Sequence, residues 1–395
     1  MAHDNTEKTA RTTVALHRCG SYDPELLDRM LEDAAVTSGF PDVKGACILV
    51  KPNLLKSATI DKAVTTHPGF VAAVIRLLHR KGAARILVGD SPGYQNALAV
   101  ARATGIYAAT RDNAAEWVDF VPGNPRPAPG AKLVKSFSLA SVLDECDLVV
   151  NLPKLKTHRL MNFTGAIKNL FGLVPNLGKS GMHLRFPDKT HFGTMLVDLA
   201  AAVGPCFTFM DGIIAMQGEG PGNGDPFELG LLLASSQPAA LDWAAASIIG
   251  YDPRHLPYLV DAIERAGFDP GKPDFSIGPE SIESVAAKDF ELLPVRSSES
   301  VTLKEIPSFA RNFMKRLTVD RPVFLPDKCT GCRACVKICP VKALGLDRSG
   351  GKNQIRIDDE ACITCFCCHE VCPSRAIAVR RVFRRKASEK KMPDA

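Results

Sequence analysis

Apolar and polar positions alternate in blocks along the chain up to about residue 300. Short apolar runs at 46–50 (ACILV), 85–89 (RILVG), 147–151 (DLVVN), 206–210 (CFTFM) and 229–234 (LGLLLA) have the length of buried strands. Helical periods fall between them. Pro24–Thr37 places Leu26, Leu27, Met30, Leu31, Ala34 and Ala35 on one face, and Gly69–Arg80 does the same with Val71, Val74, Ile75 and Leu78. Gln237–Ile249 starts after a Ser-Ser cap. Strand and helix in turn predict an α/β domain with a mostly parallel sheet. Pro122–Lys132 carries four prolines and reads as a loop inside it. From about Pro279 to Glu305 the chain is polar and charge-mixed, a small αβ element or a wrap-around segment. Pro307–Thr318 reads as a short basic amphipathic helix. Beyond it, Gly350-Gly351 between Leu344–Leu346 and Ile355–Ile357 reads as a hairpin turn.

Composition adds limits. Hydrophobic residues make up 46% and charged residues 23% of 395, which suits a globular chain with a sizeable core. The polar start MAHDNTEKTARTT lacks the apolar core of a signal peptide, and no apolar run is long enough to span a bilayer. Charge is divided unevenly. From Arg311 onward there are 19 Lys+Arg against 9 Asp+Glu, with 30 against 34 before it. The basic tail around Arg380-Arg381 and Arg384-Arg385-Lys386 reads as a solvated segment, with a docking patch for an acidic redox partner or anionic lipid as the alternative. No nucleic-acid signature accompanies it.

Cysteine sharpens the picture. Eight of the 13 cysteines fall as Cys329-x-x-Cys332-x-x-Cys335-x-x-x-Cys339-Pro and Cys362-x-x-Cys365-x-x-Cys368-x-x-x-Cys372-Pro. In this bacterial ferredoxin spacing three close thiolates hold one cubane and the fourth reaches the other cluster. The expected ligand sets are Cys329, Cys332, Cys335 and Cys372 for one [4Fe–4S] cluster, and Cys362, Cys365, Cys368 and Cys339 for the second. Zinc sites use pairs of ligands, not three plus one with a proline after the last. Cys339-Pro-Val-Lys-Ala-Leu matches Cys372-Pro-Ser-Arg-Ala-Ile, so two copies of one unit face each other. Cys367, beside the ligand Cys368, reads as a non-ligand. An odd cysteine count and oxygen-sensitive clusters predict a reducing, cytoplasmic setting.

Polar clusters follow the apolar runs of the larger domain: Lys51-Pro-Asn53-Leu-Leu, Gly89-Asp90-Ser-Pro-Gly, Asn151-Leu-Pro-Lys154-Leu-Lys156-Thr-His158 and Asp211-Gly-Ile-Ile-Ala-Met. Ligands of parallel α/β sheets bind in a crevice at the strand carboxyl ends. One such cluster is an ordinary turn; four with charged residues at the same edge predict a site. His67 precedes a helix, and Lys168-Asn169 lies on a short helix near His158. Lysines without matching carboxylates nearby suggest an anionic substrate. Gly218–Asp225 is a glycine-rich loop, either a mobile lid or an anion cradle, and it lacks the order of a P-loop or a dinucleotide fingerprint, so no NAD or nucleotide is expected. His158, His183 and His191 raise a further metal site, against surface or capping roles.

The strings KPNLL, THP, GDSPG, NLPKLKTH, TGAIKNLFG and DGI-AM-G-GP, in this order ahead of the cysteine module, resemble the domain-of-unknown-function family 362 of iron–sulfur proteins. The resemblance implies a cytoplasmic protein with two [4Fe–4S] clusters and an α/β domain of unassigned activity. Its recurring motifs match Lys51, Asn53, His67, Asp90, Lys154, Lys156, His158, Lys168, Asn169 and Asp211.

The expected layout is an α/β domain over 11–305, a linker helix over 306–320, a small α+β two-cluster ferredoxin-like domain over 321–382 and a basic, disordered tail over 383–395. Two functions fit it. One is an iron–sulfur oxidoreductase passing single electrons to an anionic substrate or cofactor. There Lys51, Asn53, Asp90, Lys154, Lys156, Lys168 and Asn169 bind the substrate, and His67, His158 and Asp211 carry the proton chemistry. The other is a non-enzymatic electron carrier whose α/β domain docks to a redox complex, with a cofactor maturation factor as a variant. A redox partner protein is expected in each case.

Overall fold

A computed structural model describes residues 12–175, 178–295, 320–348 and 353–380. The chain divides into two compact units, Met1–Val295 and Arg296–Ala395.

The first unit runs β1 (Thr13–Arg18), α1 (Pro24–Thr37), β2 (Cys47–Pro52), α2 (Pro68–Arg80), β3 (Arg85–Val88), α3 (Ala97–Ala103), α4 (Ile106–Asp112), β4 (Glu116–Trp117), β5 (Pro122–Pro127) and β6 (Ser136–Ala140). It continues through β7 (Leu148–Leu152), β8 (Lys154–His158), β9 (Asn162–Thr164), α5 (Ala166–Asn169), α6 (Gly178–Arg185), α7 (Lys189–Val203), β10 (Cys206–Gln217), β11 (Asp225–Ser235), α8 (Pro238–Ile248), α9 (Pro257–Arg265), β12 (Ser276–Pro279) and α10 (Ile282–Val285).

The main sheet has the order β12-β1-β11-β10-β7-β2-β3-β4, with β8 between β10 and β9. It is mostly parallel, as the alternation of elements predicts; β11 against β1 and β10, and β8 against β9, are the antiparallel pairs. Both faces are covered, so the strands read as unbroken apolar runs. Leu49, Leu87 and Val149 face a core shared with Leu199 of α7, Leu241 of α8 and Ile263 of α9. Their neighbours Ile48, Val50, Ile86, Val88 and Val150 face a second core with Leu27 and Leu31 of α1 and Phe70, Val74 and Leu77 of α2.

Two stretches differ from the sequence reading. Pro122–Pro127 is a strand, not a loop: it pairs antiparallel with β6 in a two-stranded ribbon outside the main sheet. Prolines are tolerated there because an edge strand need not donate every ladder hydrogen bond, and the register slips between Pro122 and Pro125. KLKTH at 154–158 is a fully buried strand rather than a turn. Pro153 separates it from β7, and β8 then pairs in parallel with β10, Lys154 opposite Asp211.

In the second unit, β13 (Arg321–Phe324) pairs with β16 (Ile377–Arg380) and β14 (Leu344–Asp347) with β15 (Gln354–Ile357), around α11 (Ala334–Ile338) and α12 (Cys367–Val371). The hairpin pairing agrees with the sequence, although its Gly-Gly turn lies outside the described residues. So do the expected 307–318 helix and the basic tail.

Candidate functional site

The carboxyl ends of β2 and β7 and the start of β8 gather three of the lysines that the sequence singled out, and these three are buried: Lys51 0%, Lys154 1% and Lys156 1% exposed, whereas Lys168 on α5 is half-buried. They are not a bare cationic cluster. Lys51 Nζ lies 2.9 Å from Asp90 Oδ1, and Lys154 Nζ 2.9 Å from Asp211 Oδ2. The expectation of lysines without carboxylates is therefore corrected. An unpaired ammonium in this dry layer would cost several kcal/mol, so the fold supplies a counter-charge. Burial still pulls both lysines below their ordinary range, and the aspartates pull the other way. Lys156 donates to Asn53 Oδ1 and Val64 O at 2.7 Å each. Asn53 donates to Asn169 Oδ1 at 2.9 Å, and Asn169 to Asn151 Oδ1 at 2.8 Å, so one amide chain links β2, α5 and β7. Gly172 lets the backbone approach the ion pair: a Cβ there would lie 2.0 Å from Asp90 Oδ1 and 2.6 Å from Lys51 Nζ.

Asp211 organises a second group. It accepts from Lys154, from the Tyr22 hydroxyl at 2.8 Å and from the His67 backbone N–H at 3.0 Å. Lys154 Nζ also donates to the Tyr22 oxygen at 2.8 Å. The Tyr22 ring stacks on the His67 imidazole with centroids 3.6 Å apart and planes 11° apart. Burial and the Asp211 charge push the Tyr22 phenol far up, so it stays protonated. His67 caps α2, its Nδ1 accepting from Gly69 N–H at 3.1 Å, which places the ring proton on Nε2. Burial lowers its pKa to about 4, so the imidazole is neutral at pH 7.

His158 is 1% exposed, and its Nδ1 accepts from Leu160 and Met161 N–H at 3.1 and 3.2 Å. His67 is thus not an imidazolium acid, and His158 Nδ1 is taken up as an acceptor. The three histidines raised as metal ligands are spread apart in their contacts: His183 stacks on Phe192 at 4.4 Å, and His191 is exposed beside Asp188. Among the described residues no three His, Cys, Asp or Glu converge on a single ion. The glycine-rich loop packs against β8 and its surroundings. Thr157 Oγ1 donates to Gly218 O, Lys56 Nζ donates to Asn223 Oδ1, and a Cβ at Gly220 would lie 2.2 Å from Thr157 O. Its glycines serve close packing.

Tyr22 was invisible in the sequence, since it stands between a short first strand and α1, far from every motif. Lys179 of α6 was missed as well. It reaches the Ser91 carbonyl, and burial, with Lys51 and Lys168 nearby opposing Asp90, lowers it to about 7.

In the second unit the two cysteine motifs superimpose at an offset of 33 residues. Gly331, Arg333 and Lys342 have φ of 70°, 61° and 53°, and Thr364, Phe366 and Arg375, at the matching positions, 53°, 60° and 51°. Five non-glycine residues in left-handed conformation mark a backbone bent to turn its amides inward. Ala343 N–H donates to Cys339 Sγ at 3.3 Å and Ala376 N–H to Cys372 Sγ at 3.2 Å. Burial raises the Cys335 thiol to about 11, with Cys372, Cys332 and Cys329 adding to the effect. Cys368 is pushed well up by burial and by Cys365, Cys362, Cys335 and Cys339. Thiolates crowded this way need cations among them. An apolar cavity lined by Cys339, Cys362, Cys365, Cys367 and Cys368, with Pro322, Val341 and Ile357 in its wall, carries the thiol set that an iron–sulfur cluster requires. Cys367 hydrogen-bonds to Cys365 and is buried.

Fold and cysteine motif together define an iron–sulfur protein in which a mostly parallel α/β domain is joined to a ferredoxin-type module. A domain of unknown function, DUF362, matches residues 48–247, and a 4Fe-4S dicluster domain matches 328–376. The chain belongs to the DUF362 family. It is 37% identical over 227 residues to a thylakoid-associated protein of Synechocystis sp., covering 57% of this chain and 70% of that one. Among solved structures, the lactate racemase apoprotein of Thermoanaerobacterium thermosaccharolyticum aligns with a TM-score of 0.39 at 12% identity over 58% of this chain and 55% of that one. A Thermotoga maritima protein aligns with a TM-score of 0.30 at 13% identity, over 49% and 50%. The chain thus spans about half the length of the solved structures it matches. Among the described residues no helix is long and apolar enough to cross a membrane.

Proposed function

We propose that this protein is an iron–sulfur oxidoreductase that works in the cytoplasm and takes electrons from a redox partner protein. Two [4Fe–4S] clusters are held by Cys329, Cys332, Cys335 and Cys372, and by Cys362, Cys365, Cys368 and Cys339. Each cluster, once bound, passes one electron at a time. The observation that carries the reading is the paired cysteine cradle, with matching left-handed turns and a backbone N–H on the fourth sulfur of each motif.

In the α/β domain the acceptor is an anionic small molecule at the strand carboxyl ends. Lys156, which donates to Asn53, and Lys168 attract it. Lys51 with Asp90 and Lys154 with Asp211 form the polar floor. His67 donates Nε2–H as a neutral imidazole, as suits a histidine at a helix N-terminus facing a developing oxyanion. Lys154 and Tyr22 hold protons against Asp211, and His158 positions β8. Two electrons and two protons convert such an acceptor to its reduced form.

One observation favours a second reading. Lys51 and Lys154 are neutralised inside the protein and almost fully covered. That suits a carrier subunit whose α/β domain docks to a redox complex. Mass spectrometry of anaerobically purified full-length protein separates the two. A stoichiometric anionic compound released on denaturation supports the oxidoreductase. Its absence, together with no protection by any anion against thermal unfolding, sinks that reading. Four irons or fewer after full reconstitution sinks the two-cluster assignment.

A further inference from the structure

Two cysteines outside the cluster motifs meet in space. Cys47 opens β2 and Cys146 stands just before β7, 99 positions apart, with their sulfurs 3.8 Å from each other. The backbone fixes the approach. β2 and β7 are parallel neighbours with Ile48 opposite Leu148. Asp147 N–H donates to Cys47 O at 2.9 Å, and Cys47 N–H donates to Asp147 Oδ2 at 2.8 Å. Both cysteines are half-buried, so a small reagent can reach them. Arg85, the register partner of Cys47 on β3, bonds Glu145 and Glu116 at 3.2 and 2.9 Å. The pair therefore sits in a polar rim at the amino-terminal edge of the sheet, the edge opposite the lysine layer.

A disulfide bond is about 2.05 Å long, so the sulfurs must close by about 1.8 Å, a distance that a χ1 rotation supplies. We propose that Cys47 and Cys146 form a reversible dithiol–disulfide site that reacts with small-molecule disulfides. The Cys47 thiolate attacks one sulfur of the reagent, forming a mixed disulfide and releasing one thiolate. Cys146, as thiolate, then attacks the Cys47 sulfur; the intramolecular S–S bond forms and the second thiolate leaves. The two protons lost by the cysteines go to the two released thiolates, and the reagent takes up the two electrons. Burial, reinforced by Cys47, raises Cys146 to about 12, so Cys146 is a poor first attacker. Closure ties together the starts of the two strands whose far ends carry Lys51 and Asn151.

The test uses anaerobic holoprotein treated with oxidised glutathione, with iron content read in parallel, followed by alkylation and non-reducing peptide mapping. The expected result is one cross-linked peptide pair joining Cys47 to Cys146, removed by dithiothreitol, with iron unchanged. In Cys146→Ser, Cys47 stops as the glutathione mixed disulfide. In Cys47→Ser, Cys146 remains alkylatable. The wild-type map alone decides the matter if a variant fails to fold. Both thiols remaining alkylatable, each carrying its own glutathione, or Cys47 joined to a different cysteine would each overturn the proposal.

Discussion

Lys154→Met is the most direct probe of the polar layer. The substitution keeps the apolar stem of a side chain that is 1% exposed and removes the ammonium that meets Asp211 at 2.9 Å. Asp211 is then a buried carboxylate without a counter-charge. Breaking a buried pair from one side costs about 3–5 kcal/mol. Asp211 retains hydrogen bonds from Tyr22 Oη, His67 N and Ile213 N, at 2.8, 3.0 and 3.3 Å, which places the expected loss at the lower end, about 3 kcal/mol. Asp211→Asn leaves Lys154 charged and should cost a similar amount. The double variant has no buried charge to strand, so its loss should fall short of the sum of the singles by about 2 kcal/mol or more. Urea unfolding followed by tryptophan fluorescence reads this cleanly, because both tryptophans, Trp117 and Trp243, lie in the first unit. A loss below about 1 kcal/mol for Lys154→Met, or strict additivity in the double variant, would refute the argument.

Asp242 is fully buried, accepts from Ala166 and Ile167 N–H at 2.5 and 3.0 Å, and burial nonetheless raises it to about 7. A raised carboxyl keeps its proton after the unfolded chain has lost it, so stability should fall as pH rises from about 4 to about 7, by up to about 4 kcal/mol. Asp242→Asn should lack that fall; parallel pH–stability curves for the two proteins would disprove it. His67, held at about 4, should show no imidazole titration between pH 5 and 8 by NMR; a midpoint above 6 contradicts the neutral-donor role. Cys367→Ser should keep the iron content of the wild type. Cys367→Ala, which removes a hydrogen bond to Cys365, should lower one cluster potential by about 20–60 mV, as a bond worth about 1 kcal/mol implies for one electron. Iron loss in the serine variant would make Cys367 a ligand.

How far the sequence could be read depended on how local each signal is. The strands β2, β3, β7, β10 and β11 announced themselves because a strand covered on both faces must be apolar at every position. The cysteine module was legible for a related reason, since cluster ligands lie within a few residues of one another. β8 was not, because its burial is achieved through lysine stems and paired ammonium groups, and KLKTH carries no apolar alternation. Pro122–Pro127 hid its pairing behind prolines that only an edge position tolerates. The residues at the strand ends were found by their shared position after apolar runs, but their partners were not: nothing in the chain links Lys51 to Asp90 or Lys154 to Asp211 until the sheet order is known. Tyr22 depends on the same order, reaching Asp211 across 189 positions.

Stability alone is a poor explanation for this layer. A buried ion pair is often no better than apolar side chains of the same volume, and removing one partner is expensive. The chain nonetheless holds Lys51 with Asp90, Lys154 with Asp211 and a run of three asparagine amides in one stratum, between two cores of ordinary aliphatic packing. Local departures from apolar packing are expected where a fold binds or reacts rather than where it merely coheres. The placement points the same way. These groups gather where β2 and β7 end and β8 begins, on the side where a parallel sheet opens its crevice, whereas the starts of β2 and β7 carry a salt-bridged rim and the Cys47–Cys146 pair. A layer kept only for cohesion would survive replacement by a matched apolar set. If Lys154→Met/Asp211→Leu proves as stable as the wild type yet loses the bound anion, the polar layer is maintained for its ligand; if the ligand stays bound, these charges are structural and the binding site lies elsewhere.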